Sequence, residues 1–421
     1  MIKQKLYLLV LISITGMTCT QAQITLQSCL SDAVTAYPQA KDKDAYKQAL
    51  TLKLENTQTA YLPQISLNGQ ATYQSDAIDI TMSLPSNTLK IKQSKDQYKI
   101  TLDVNQLLYD GGATRYQKKI LQSSLETDLN QVDVELQKIK EQVNSVYFSL
   151  LIQQASRKQL QTTIDDLKER EKEMTSMVKN GVINNADLDV LVAERLKVEQ
   201  QITEIDLTYR STLDILGILT NKKIPDNEEL VLPEIILDDS IHADRPETKL
   251  FDAQSQMLED SKLMTKIALR PKVAAFAQAG YGRPGLNMLS DEFNPFYIVG
   301  ASVKWTLWDW KKNQRDRQVL EVQKTLVESR KENFDRNLNI DLKSKRTAIN
   351  KMQEAITRDS VIVSLRQGIT KTSKSRLNNG VITSTEYVNN LNAESIARIS
   401  MELHKLQLVQ AKVNYQITMG K

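Results

Sequence analysis

No pair of side chains in this chain is spaced for bond-making chemistry. The two histidines, His242 and His404, stand far apart and belong to no metal-binding or triad pattern. No glycine-rich phosphate loop is present, and no nucleophile has a base nearby. The residues weigh against an enzyme, and no cofactor or metal is expected. What remains is fixed charge beside tight turns. Asn180-Gly181-Val182-Ile183 leads into Asn184 and Asp187, and Asn379-Gly380-Val381-Ile382 leads into Thr383 and Glu386. Thr383-Ser384-Thr385-Glu386 has the spacing of a capping box, and Asn184 to Asp187 follows the same logic. Each acid therefore favours a helix N-terminus, by about 0.3–1 kcal/mol. Glycine's freedom at positive φ accounts for the turns themselves.

The two turns are copies. They lie 199 residues apart, and so do Leu108-Tyr109-Asp110 and Leu307-Trp308-Asp309. Asp110 precedes Gly181 by 71 residues, and Asp309 precedes Gly380 by the same 71. Pro38 and Pro63 are 25 apart, as are Pro246 and Pro271. The period is too long for a solenoid. It divides the chain into a repeat over 23–220, a linker over 221–245 containing Pro225 and Pro233, and a second repeat over 246–421.

Each repeat reads helix, strand, loop, strand, long helix, tight turn, helix. Prolines bound the first helices, over 39–60 and 247–269. Ile65, Leu67, Ala71 and Tyr73 then alternate with polar residues, as do Tyr98, Ile100, Leu102 and Val104. Strands are expected over 64–75 and 97–108, and in the second repeat over 272–282 and 297–308. Glycine and proline total only 13 and 9 residues, and neither occurs between Ala113 and Asn180 or between Ala301 and Gln367. Long helices follow over 115–180 and 312–379, each about 100 Å at ~1.5 Å per residue. Leu125, Leu129, Val132, Leu136, Ile139, Val143, Val146 and Leu150 form a heptad seam on the first. Leu191, Val198, Ile202, Ile205, Tyr209 and Leu216 continue it on the returning helix. Val388, Leu391, Ile399, Leu406, Val413 and Ile417 do so less regularly in the second repeat.

Residues 1–22 read as a secretion signal, with Lys3 and Lys5 before the apolar run Leu6–Ile14 and a small-residue cleavage site at Ala22. Lipidation at Cys19 is the competing reading. Removing the signal takes the formal charge from +4 to +2, a balance that argues against nucleic acid as a partner. It leaves Cys29 as the one cysteine, so no internal disulfide forms. No later segment can span a bilayer as a helix, so any membrane residence requires a closed β-barrel. Strands of about ten residues have the length for this. Gln, Asn, Thr and Lys on their polar face suit a water-filled lumen. Tyr61, Tyr109, Trp305, Trp308 and Trp310 suit an interfacial girdle, with core aromatics the competing reading. Four strands cannot close, and two copies would give a filled barrel of about eight strands. Three copies would give about twelve strands and a pore.

In the order and spacing of these features, the chain resembles the TolC family of outer-membrane efflux proteins. The features are the signal, the two repeats, Pro63 and Pro271 heading strands, Leu108-Tyr109-Asp110-Gly111-Gly112 and Leu307-Trp308-Asp309 at strand-to-helix junctions, and the two Asn-Gly-Val turns. The resemblance covers roughly Leu26 to Gly420. It implies an α+β, mainly α membrane protein that trimerises into a 12-stranded β-barrel and a 12-helix α-barrel, placed in the outer membrane and extending into the periplasm. It also implies the exit duct of a tripartite efflux or type I secretion system, with outer-membrane lipid, a periplasmic adaptor and an inner-membrane transporter as partners. Acids six residues past the turn glycines, Glu386 and Asp187, would ring the aperture. Asn389 stands where the family often has a further acid. Asn180, Gly181, Asn379 and Gly380 would meet the adaptor, and 75–95 and 283–295 would be outer loops. The alternative is a periplasmic coiled-coil adaptor or scaffold.

Overall fold

The computed structural model describes residues 24–85, 87–181, 183–226, 228, 230–237 and 243–421. The expected signal with Cys19, and His242, lie outside these. In chain order the elements begin with α1 (Leu26–Ala36), a 3-10 turn (Pro38–Lys41) and α2 (Asp42–Thr59). Next come β1 (Gln64–Tyr73), β2 (Asp79–Leu84), β3 (Asn87–Lys92) and β4 (Asp96–Tyr109). The helices α3 (Ala113–Lys179), α4 (Asn185–Thr220) and α5 (Pro246–Ile267) follow. The chain ends with β5 (Lys272–Arg283), β6 (Asn294–Lys304), α6 (Lys312–Asn378) and α7 (Ser384–Thr418). These elements divide into two compact units.

One unit comprises Pro38–Gln137, His242–Leu342 and Thr418–Lys421. It holds a four-stranded antiparallel sheet in the order β1-β4-β5-β6. The registers Ile65↔Val104, Val104↔Ala277 and Ala277↔Val299 run an apolar row across all four strands. One residue along, Ser66↔Asp103, Asp103↔Gln278 and Gln278↔Ile298 run a mostly polar row on the opposite face. Two aromatic-glycine pairs pin the β5–β6 register. Phe296 lies over Gly280 and Phe276 over Gly300, leaving no room for a methyl group at either glycine. Ion pairs Lys43–Asp133 and Lys331–Asp252 tie α2 to α3 and α5 to α6.

The other unit comprises the chain up to Tyr37, Lys138–Ile241 and Lys343–Ile417. Its core follows the expected seam but is wider. Val143, Tyr147, Phe148, Leu150, Leu213, Leu216, Val413 and Ile417 are buried together with Leu26, Cys29 and Ala33 of α1. A second cluster joins Leu167, Met174, Leu191, Ile382, Tyr387 and Leu391 near the turns. Burial pushes the Cys29 thiol up to about 11, which makes it unreactive.

Several expectations need correction. The helix expected over 39–60 begins as a 3-10 turn at Pro38 and becomes α-helical only at Asp42. The segment 75–95, expected to be a loop, contains a second hairpin, whose alternation is short and rich in Ser, Thr and Lys. The strand expected over 297–308 runs Asn294–Lys304, ending where the Trp305 indole N–H turns to donate to the Leu269 carbonyl at 2.9 Å. The linker over 221–245 also takes part in the core of its unit. It contributes Leu230, 5% exposed, which forms a parallel bridge with Ile24. The Tyr147 hydroxyl lies 2.8 Å from the Ile24 carbonyl oxygen, which also accepts from the Val231 amide at 3.1 Å, and 2.7 Å from the Val231 carbonyl oxygen, so one buried O–H ties together both segments of the bridge. Tyr147→Phe should therefore cost about 1–2 kcal/mol. The loss should appear as a lower Tm and as earlier proteolysis near Ile24, whereas a purely apolar role for Tyr147 would leave both unchanged.

Candidate functional site

The sheet presents its apolar row to the outside of its unit rather than to a core. Ile65, Leu67 and Val299 are 69%, 70% and 72% exposed. On the polar face, the Asp103 carboxylate accepts from Asn68 Nδ2, from Gln278 Nε2 at 2.5 Å and from Thr101 Oγ1 at 3.1 Å, beside a shallow cleft of about 300 Å³. A sheet wetted on one face and apolar on the other can separate water from a non-aqueous phase.

Both strand-to-helix junctions are built on an aspartate. Asp110 accepts from the Gly112 amide at 2.7 Å and the Thr114 amide at 2.6 Å, capping α3. Asp309 accepts from the Asn313 amide at 2.8 Å and caps α6. Burial opposes ionisation of Asp110, but hydrogen bonds from Thr114, Tyr61 and Gly112 outweigh it and hold the carboxyl at about 2. Hydrogen bonding from the Asn313 amide likewise lowers the Asp309 carboxyl. Gly111 and Gly112 take φ of 73° and 97°. Gly111 also sits against Arg270, which follows Ile267 and precedes Pro271, and a Cβ there would lie 2.9 Å from Arg270 Cβ. Pro63 and Pro271 stand immediately before β1 and β5. Tyr109, the last residue of β4, and Trp308 are both exposed.

At the turns, Gly181 and Gly380 have φ of 70° and 71°, and a methyl group added at either would meet no atom within 4 Å, so conformation alone demands glycine there. Amides of Gly181, Gly380 and Val381 close the ends of α3 and α6 onto Val178, Leu377 and Arg376 carbonyls. Asn180 and Asn379 are exposed. The Glu386 amide donates to Thr383 Oγ1 at 3.2 Å, one half of the capping box. The Glu386 carboxylate has no partner among the described residues. It lies on the exposed face of α7 with Asn389, while Tyr387 and Val388 are buried. The first turn differs from expectation. Asn184 makes no side-chain cap, and the Asp187 amide instead donates to the Asn184 carbonyl at 3.1 Å. Asp187 is half-buried.

Sequence reasoning missed the partners of two polar residues. Arg170, 1% exposed, places its guanidinium 5.3 Å from the Tyr387 ring centre and pairs with Glu173, while its Nε and Nη2 meet no acceptor. A single heptad stripe gives no sign that α3 buries a cation there. His404 is not isolated, as its Nδ1 lies 2.5 Å from the Asp359 carboxylate, linking α7 to α6. A separation of 45 residues across a turn hides such a pair from motif reading.

No family model and no curated protein matches the sequence. Solved structures match its fold. VceC, an outer membrane protein of Vibrio cholerae, overlays 94% of this chain with 96% of its own at a TM-score of 0.70 and 13% identity. The CmeC outer membrane channel of Campylobacter jejuni overlays 94% of this chain with 85% of its own, at 0.68 and 13%. The open-state MtrE outer membrane channel of Neisseria gonorrhoeae overlays 94% with 88%, at 0.67 and 12%. The chain has the fold of these proteins: mainly helical, with strand hairpins leading into long helical hairpins.

Two outcomes follow from the junction and turn geometry. Gly380→Ala should cost about 1 kcal/mol through strain at positive φ alone, read as a lowered Tm. The Asp110 carboxyl sits below its unfolded value, so its contribution is complete above about pH 4 and disappears as pH falls through about 2. Asp110→Asn should remove about 2 kcal/mol at neutral pH and abolish that part of the acid sensitivity, measured by denaturant unfolding at pH 7 and pH 3.

Proposed function

We propose that this chain is the outer-membrane exit duct of a tripartite efflux or type I secretion system, conducting substrates passively out of the cell. The observation that carries this is the sheet. Its apolar face is uncovered, its other face is largely polar, and β1 and β6 are unpaired edges, all on a chain that also supplies two long helical hairpins. Three copies would join β6 of one to β1 of the next and form a 12-stranded barrel. The helices would assemble alongside. On α6, Val319, Val322 and Leu326 are 54%, 61% and 53% exposed at coiled-coil spacing, as are Ile362, Leu365 and Ile369 further along at 46%, 64% and 44%. An unfilled seam of this kind suits a helix of a neighbouring copy. The three similar structures are of outer membrane proteins or channels, which supports the same location here.

No bond is made or broken in this mechanism. Resting copies narrow the passage at the Asn180-Gly181 and Asn379-Gly380 turns, where Glu386 and Asp187 supply negative charge and Asn389 a neutral position. A periplasmic adaptor, docked on these exposed turns and bound to an inner-membrane transporter, favours the open arrangement by contacting it better than the closed one. The Glu386 carboxylate is free to face the passage because only its amide is engaged in the cap.

The mature protein should fractionate with the outer membrane and migrate faster on gels when unheated than when boiled. A soluble periplasmic protein with unchanged migration would favour an adaptor or scaffold instead. In planar bilayers, Glu386→Ala should lower cation preference and alter single-channel conductance. Unchanged values for both would leave Glu386 as a helix cap and nothing more.

A further inference from the structure

The two repeats enter their long helices through the same pair of left-handed positions, filled by different residues. After Asp110 the left-handed positions are Gly111 and Gly112, and after Asp309 they are Trp310 and Lys311, at φ of 55° and 61°. Glycine takes this region freely, whereas a side chain there crowds the backbone. The first repeat shows that the turn itself does not need side chains, so the strain in the second is held for what Trp310 and Lys311 contact. Their own chain offers little. Trp310 and Trp308 are 78% and 66% exposed, and their rings meet edge to face at 5.9 Å. Their indole N–H groups have no acceptor among the described residues, while that of Trp305 is held by Leu269. The neighbouring ion pair belongs to Lys312 and Asp316, leaving the exposed Lys311 ammonium without an acid among the described residues.

We propose that Trp308, Trp310 and Lys311 form a phospholipid headgroup site at the periplasmic rim of the barrel, one site per chain. The inference rests on the outer-membrane reading above. Continuity and charge select lipid as the occupant. The outward row of β6, with Tyr297, Val299 and Val303 exposed, is followed within five residues by the exposed Trp305 and Trp308, so an apolar phase covering that row would reach these indoles. An indole is apolar over its rings and polar at its N–H, which suits the boundary between acyl chain and headgroup. The Lys311 ammonium beside it complements a lipid phosphate.

The test uses the full mature chain with Trp305→Phe and Trp308→Phe, so that Trp310 is the only tryptophan. It is reconstituted into phosphatidylethanolamine vesicles containing phosphatidylglycerol, with bromines placed near or far from the headgroup. Trp310 emission should be quenched more by shallow than by deep bromines, and more by brominated phosphatidylglycerol than by brominated phosphatidylethanolamine. Lys311→Gly, which relaxes the turn and so does not threaten folding, should reduce that preference about fivefold. A protein that conducts ions while Trp310 is quenched by neither lipid overturns the site alone. So does a Trp310 already shielded in lipid-free detergent assemblies, which would assign the surface to a second copy. Failure to insert or conduct overturns both this site and the duct reading.

Discussion

A β-sheet edge carries unpaired backbone donors and acceptors, and this sheet has two, β1 and β6. In water such an edge is tolerable; in hydrocarbon each unsatisfied group costs several kcal/mol, so the edges must be paired. Four strands cannot curl far enough to pair with themselves. In the proposed outer-membrane setting, the edge of one copy would therefore complete that of another. The uncovered Ile65, Leu67 and Val299 side chains and the unfilled seam on α6 point to the same need.

The two repeats share a frame but not all of their chemistry. Both use an aspartate to turn a strand into a helix, and both use Asn-Gly to reverse a helix. They diverge where side chains face outward. Glycines at 111 and 112 correspond to Trp310 and Lys311, and the Glu386 cap uses Thr383 Oγ1 where Asp187 has only the Asn184 carbonyl. Duplication thus fixes backbone geometry twice and leaves surface chemistry free to differ.

Features set by local rules were readable from sequence. Asn-Gly turns, proline boundaries, breaker-free runs and two-residue alternation place helices and strands because each acts within a few residues. Hidden features depended on distant partners. The bridge of Ile24 to Leu230, the His404–Asp359 pair and the burial of Arg170 against Tyr387 each join segments dozens of residues or more apart. The β2–β3 hairpin was missed because its segment has as much turn-forming and charged character as strand character. The early end of β6 reflects the Trp305 hydrogen bond to Leu269, just past α5, which alternation cannot reveal. Of the turn residues, sequence located Glu386 and Asp187, but only the hydrogen-bond geometry separates a carboxylate left free from an amide engaged in a cap.

The most direct measurement is cysteine crosslinking between the sheet edges. Leu67→Cys on β1 would be combined in turn with Tyr297→Cys, Val299→Cys and Ala301→Cys on β6 in detergent-solubilised mature protein, with products sized after oxidation. Within one chain β4 and β5 separate these edges by about 14 Å, beyond disulfide reach, and the buried Cys29 does not compete. Edge completion between copies predicts that at least one pairing links them into a species of three chains. Only monomers under every pairing, or a disulfide closed within a single chain, would contradict it.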